Sequence, residues 1–137
     1  MKKIILSAVL FASTLIASDI TVEVTKLSNT NGKLSIGLYN KNDDTFAKLS
    51  KQYRGVHLEI NDSKIIYAFK NIPNGTYAIA VIHDENDNGK LDKNFLGIPK
   101  EGYGFSNNIR PTFRSANFEE SKFELNDDKS ITIEIGY

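Results

Sequence analysis

The chain of 137 residues contains no cysteine. That excludes disulfides, thiolate metal sites, a cysteine nucleophile and a lipid-modified N-terminal cysteine together. Tryptophan is also missing, and histidine occurs only twice, as His57 and His83. A Ser–His–Asp arrangement around Ser106 has no sequence support, because no nucleophile-elbow pattern surrounds that serine. Charge bias is lacking too: 17 basic residues stand against 17 acidic ones. With no basic cluster, nothing marks a nucleic-acid binder or a protein drawn to an anionic membrane. No apolar run is long enough to cross a bilayer. The longest, Ile4 to Ile16, rises about 20 Å as a helix, short of the roughly 30 Å hydrocarbon core.

That run follows Lys2 and Lys3, and residues 1–18 read as a secretory signal peptide. Cleavage is expected after Ala17 or Ser18. It removes both lysines and leaves 119 residues with 15 basic against 17 acidic, a net charge of −2. Residues 19–137 then form one domain by length, large enough to bury about two-thirds of its unfolded surface. The expected location is periplasmic or secreted, with no membrane span after cleavage.

The remaining sequence is patterned for strands. Ile20, Val22 and Val24 alternate with polar residues, as do Leu34, Ile36 and Leu38, and then Val56, Leu58 and Ile60. Period two places each apolar set on one face. Between the first two strands SNTNG (28–32) gives a hairpin signal, and Asn61-Asp62 turns into a strand over Ile65–Phe69. Residues 43–52 are expected to make a short helical turn, with Phe46 and Leu49 three apart. After Pro73-Asn74-Gly75 comes the most apolar strand, TYAIAVIH (76–83), apolar on both faces and so central. Phe118–Leu125 and Ile131–Ile135 close the chain, joined by NDDK (126–129). The fold class is therefore all-β: a single antiparallel β-sandwich of about seven strands.

The distinctive stretch is HDENDNGKLD, residues 83–92. Asp84, Asn86 and Asn88 stand at positions 1, 3 and 5 of a calcium-type loop, Gly89 at 6, Lys90 at 7 and Asp92 at 9. Calcium takes six to eight oxygens, and this spacing offers side-chain oxygens at 1, 3, 5 and 9 and a carbonyl at 7. Position 12, which would supply a bidentate carboxylate, is Phe95, and the preceding segment is a strand instead of a helix. A site here is a truncated DxNxNG loop needing a further ligand such as Glu101 or water. The competing reading is a plain turn, since Asp, Asn and Gly favour turns in their own right.

FKNIPNGTYAIAV (69–81) resembles the edge–turn–strand pattern of transthyretin-like and carboxypeptidase-regulatory-like sandwiches, and the fold is expected to be transthyretin-like or Ig-like. A longer resemblance covers nearly all of the mature chain. NIPNGTYAIAVIHDENDNGKLDKNFLGIPKEGYGFSNN, with Pro111-Thr112-Phe113 beyond it, resembles the hallmark block of the domain-of-unknown-function 2141 family, small exported bacterial proteins. The resemblance implies an exported β-sandwich and carries no activity with it.

The other candidate residues have ordinary readings beside the functional ones. His83, next to Asp84, could serve as a base or metal ligand, but more often such a histidine hydrogen-bonds the loop backbone. His57 points away from the core. Tyr103 and Phe105, in the run Gly102-Tyr103-Gly104-Phe105, are expected to pack over the sandwich end, with the glycines permitting tight turns. Arg110 and Arg114 suit either an anionic ligand or surface acids. Asp92 with Glu101 could form a paired-carboxylate site. Two functions follow. The first is a non-enzymatic binding or structural module of the cell envelope, docking an envelope protein or glycan, with calcium as its cofactor. The alternative is a small periplasmic hydrolase of glycan or peptide using Asp92, Glu101 or His83.

Overall fold

The computed structural model describes residues 3–5, 7 and 16–137. Most of the proposed leader lies outside the described residues. Eight strands lie among those described: β1 (Ala17–Thr25), β2 (Lys33–Tyr39), β3 (Arg54–Glu59), β4 (Ile65–Pro73), β5 (Gly75–Asp84), β6 (Tyr103–Phe105), β7 (Phe123–Leu125) and β8 (Lys129–Glu134). They form two sheets. One has the order β4-β1-β8; the other runs β3-β2-β5-β6, with β7 also on β5. The chain is nearly all β, as its alternation dictates.

The two sheets share one core. Ile20, Val22 and Val24 of β1 meet Leu34, Ile36 and Leu38 of β2 and Ile79 and Val81 of β5, all at most 1% exposed. Side chains of this size gain roughly 1.5–3 kcal/mol each on burial, so this layer dominates the favourable side of folding. β5 is central, as its two apolar faces require. β2 pairs along one of its edges, while β7 and then β6 share the other. The face of β5 turned away from the core is apolar as well. It carries a second cluster in which Ala78, Ala80 and Phe105 are covered by Phe46 and Phe118.

Several expectations are corrected. The pairing is not wholly antiparallel, because β1 runs parallel to β8 from Ile20↔Lys129 to Thr25↔Glu134. SNTNG does not close a hairpin: β1 and β2 belong to different sheets, and the turn signal instead carries the chain across between them. Residues 43–52 form successive i→i+3 turns, with Lys48 N–H donating to the Thr45 carbonyl and Lys51 N–H to that of Lys48. Ala47 at φ 66° breaks any helix there. Phe118–Leu125 is not one strand. Asn117 and Glu120 form a reciprocal capping box that winds Phe118–Ser121 (α1) into one helical turn, leaving only Phe123–Leu125 extended. Tyr103 and Phe105 do not cap an end; they form the edge strand β6, which also bridges to Gly136 beyond β8 and so ties the two sheets together.

Candidate functional site

The oxygen-rich loop leaves the end of β5 and is pinned from three sides. Gly32, at φ +63°, lies so close that a Cβ there would stand 1.9 Å from the Asp84 carbonyl oxygen. Only glycine satisfies both that approach and that backbone conformation. Its neighbour Asn31 accepts a hydrogen bond from His83 Nε2 at 2.8 Å, and the other ring nitrogen meets the Tyr137 hydroxyl at 2.6 Å. Nε2 can only donate to that carbonyl oxygen, while the Tyr137 hydroxyl can serve Nδ1 as donor or acceptor. His83 is fully buried, and both its nitrogens are engaged. It holds the β1–β2 connection and the C-terminus against the loop base.

Within the loop the side chains fall into two groups. Asp84, 3% exposed, turns its carboxylate onto the loop's own backbone, accepting from Asn88 N–H at 3.2 Å and Gly89 N–H at 2.7 Å. Asp87 at φ 51° and Gly89 at φ 75° supply the curl that brings those amides round. The second group points outward. The side-chain amides of Asn86 and Asn88 converge on Asp92, with Nδ2 to carboxylate distances of 2.7 and 2.9 Å. These bonds, Asn88 first, hold the Asp92 carboxyl below its usual range. Asn88 Oδ1 in turn accepts from Lys90 N–H. The residues at positions 3, 5 and 9 are therefore adjacent in space.

Glu101 joins them from the far side of the 93–100 excursion. Its two carboxylate oxygens accept from Glu85 N–H at 3.1 Å and Asp92 N–H at 3.2 Å, fastening both ends of the loop. It is 5% exposed. Burial first, then the nearby Asp92 and Asp84 charges, push its carboxyl above the ordinary range, against the opposing pull of the backbone bonds. Phe95, at the missing twelfth position, stands 96% exposed and contributes nothing here.

Among the described residues no three His, Cys, Asp or Glu side chains are grouped to hold a metal ion. The oxygen donors the loop can offer are instead mixed. They comprise Asp92, the side-chain oxygens of Asn86 and Asn88, main-chain carbonyls such as that of Lys90, and an Asp84 whose position-1 contacts to the loop amides are already made. Such a mixed set suits a hard cation that takes carbonyl oxygens, and not one wanting imidazole or thiolate.

The remaining candidates have structural partners. Ser106 is buried, accepting from Ile79 N–H and donating to the Ser121 carbonyl. Arg114 makes a two-pronged pair with Glu120, and Arg110 lies 4.0 Å over the Tyr103 ring. His57 is exposed and bonds Ser35. Tyr137, Asn31 and Gly32 were not singled out by sequence reasoning. The Asn-Gly pair carried a local signal for the last of these; nothing marked the C-terminal tyrosine as a partner of His83.

The molecule is thus a small two-sheet β domain with an oxygen-rich loop at one end of its central strand. The chain belongs to the family described as an uncharacterized protein conserved in bacteria (DUF2141), whose match spans residues 22–134. No curated protein and no solved structure matches it.

Proposed function

We propose that the protein is an exported, non-enzymatic binding or structural module of the cell envelope, with a low-affinity calcium loop at residues 84–92. Its two layers are read as a transthyretin-like or Ig-like sandwich that presents this loop to an envelope protein or glycan. The observation that carries the calcium reading is the convergence of Asn86, Asn88 and Asp92 above a backbone curl held by Asp84. In that arrangement the amide N–H groups stabilise the Asp92 charge by hydrogen bonds, from the side on which a cation would sit. Rotation of each amide presents its oxygen in place of its nitrogen. The geometry favours a module over a hydrolase, since both nitrogens of His83 and both carboxylate oxygens of Glu101 are committed to holding the loop.

With Phe95 in place of the bidentate ligand, the expected affinity is weak, in the range of about 10⁻⁴–10⁻³ M. Calcium at about ten times Kd adds about 1.4 kcal/mol. For a domain of this size that raises the melting temperature by roughly 5 °C. Magnesium does less, because it demands a near-ideal octahedral shell. Asp92→Asn removes the shift. Asp84→Ala is the poorer probe, because stranding the Asn88 and Gly89 amides lowers stability even in chelator. Coincident melting curves in about 10 mM calcium and in chelator would make the loop a turn only. Export is tested separately: mass spectrometry of the envelope fraction is expected to find a mature N-terminus at Ser18 or Asp19. Intact Met1 there excludes cleavage. Strand β1 spans the expected cut: Ala17 pairs with Pro73 and Ser18 with Ile72, and the Ser18 hydroxyl bonds Asn74, so cleavage shortens the start of that strand.

A further inference from the structure

The outer face of the five-stranded sheet is covered from two directions, by the 40–53 loop bringing Phe46 and by the 106–121 segment bringing Ala116 and Phe118. Towards the oxygen-rich loop these covers part. An open cleft of about 600 Å³ lies there, lined by Ala80 and Ile82 of β5, by Phe46, Tyr103 and Phe105, and by Gly89–Leu91 of the oxygen-rich loop. Small-molecule sites span about 300–1,000 Å³ and are mostly apolar with a few placed polar groups. The cleft adjoins a second depression of about 550 Å³, with which it shares Lys93, Pro99, Tyr103 and Ser115. At the rim of that second part Phe113 is 98% exposed and Leu96 68%.

The charge on this surface is one-sided. Lys48, Lys90 and Lys93 line the first part and Lys93 and Arg114 the second, and no aspartate or glutamate lines either. In a chain with 17 residues of each sign, that is a local excess. Lys48 is paired with Asp44 and Arg114 with Glu120, whereas Lys90 and Lys93 form no ion pair among the described residues. Lysine stems lie along apolar surface while their ammonium groups stay at the rim. An apolar trough edged by two unpaired ammonium groups is complementary to a molecule with an apolar body and one anionic end.

We infer that this cleft binds an anionic amphiphile: a single aliphatic chain or ring body, seated on Ala80 and Ile82, whose carboxylate, sulfate or phosphate meets Lys90 and Lys93. This goes beyond the calcium reading and does not depend on it.

The test is titration of the isotope-labelled mature protein with laurate below its micelle concentration, in chelator, followed by amide NMR. Dodecyl maltoside and dodecyltrimethylammonium serve as neutral and cationic controls. Laurate is expected to shift Ala80, Ile82, Lys90 and Tyr103 with saturation, and the two controls to bind at least about tenfold more weakly. The exposed double change Lys90→Glu with Lys93→Glu keeps the fold and is expected to weaken laurate at least about tenfold, an effect that shrinks in high salt. Ala80→Phe fills the floor and removes binding; the double variant stands in if it fails to fold. Equal binding of the three amphiphiles, shifts mapping elsewhere, or an unchanged double variant overturns the inference. So does sedimentation with phosphatidylglycerol vesicles without any response to laurate, which would make the surface a membrane contact.

Discussion

Ser106 shows how one hydroxyl completes a sheet. β6 ends its pairing with β5 at Ala80, and β7 starts at Tyr77, so the edge of β5 between them has no strand. Ser106 Oγ fills that gap, accepting from Ile79 N–H at 2.9 Å and donating to the Ser121 carbonyl. Ser106→Ala is expected to cost about 1–3 kcal/mol, because a buried amide loses its only substitute for a ladder bond. An unchanged urea midpoint would show that another group reaches Ile79. Glu120 illustrates the opposite, exposed case. The Arg114 guanidinium, aided by Asn117 N–H, holds its carboxyl down to about 2 from an ordinary 4.5. A depressed carboxyl contributes stability above the unfolded value and loses it as the pH falls through the folded one. Glu120→Gln is therefore expected to be less stable than wild type near neutrality, with the difference closing between 4.5 and about 2. Thermal melts of the two proteins across that interval check it, and a constant gap would show that the ionised carboxyl does not carry the stability.

At the scale of elements, β5 was the most legible. Its sequence TYAIAVIH has no polar face, and the strand is buried throughout from Tyr77 to Asp84. Ile79→Ala is expected to cost about 2–5 kcal/mol, since a fully buried side chain between the sheets leaves a cavity. A midpoint equal to wild type would mean that the strand faces the other way. Less legible were the elements that owe their form to pairing partners. β6 has only three residues, Tyr103 to Phe105, too few for a period, and it exists because β5 offers an open edge. The 118–121 turn was absorbed into one strand expected over Phe118–Leu125, although only Phe123-Glu124-Leu125 alternates and Asn117 and Glu120 carried a helical cap in plain sight. The loop at 84–92 was legible in its spacing, because offsets of two and four put Asn86, Asn88 and Asp92 on one side of a tight curl. Glu101's grip on Glu85 and Asp92 depends on how the 93–100 excursion returns, which no local pattern encodes.

For the whole molecule, period two and turn residues were enough to give an all-β chain, but they did not assign strands to sheets. The same turn chemistry serves a hairpin and a crossing between layers, and only the match of whole apolar faces distinguishes them. That is why SNTNG, Asn61-Asp62 and Pro73-Asn74-Gly75 all carry the chain from one sheet to the other. The parallel contact of β1 with β8 was the least legible feature, since it joins residues more than a hundred positions apart. It has a consequence in time. β1, the first strand among the described residues, lies between β4 and β8, and one of its edges stays open until residues 129–134 have arrived. Closing so distant a pair costs loop entropy before any contact rewards it, so folding of this topology is slow and late. A chain that cannot close this sheet until residues 129–134 have been made keeps its first strand half-paired through most of its own synthesis.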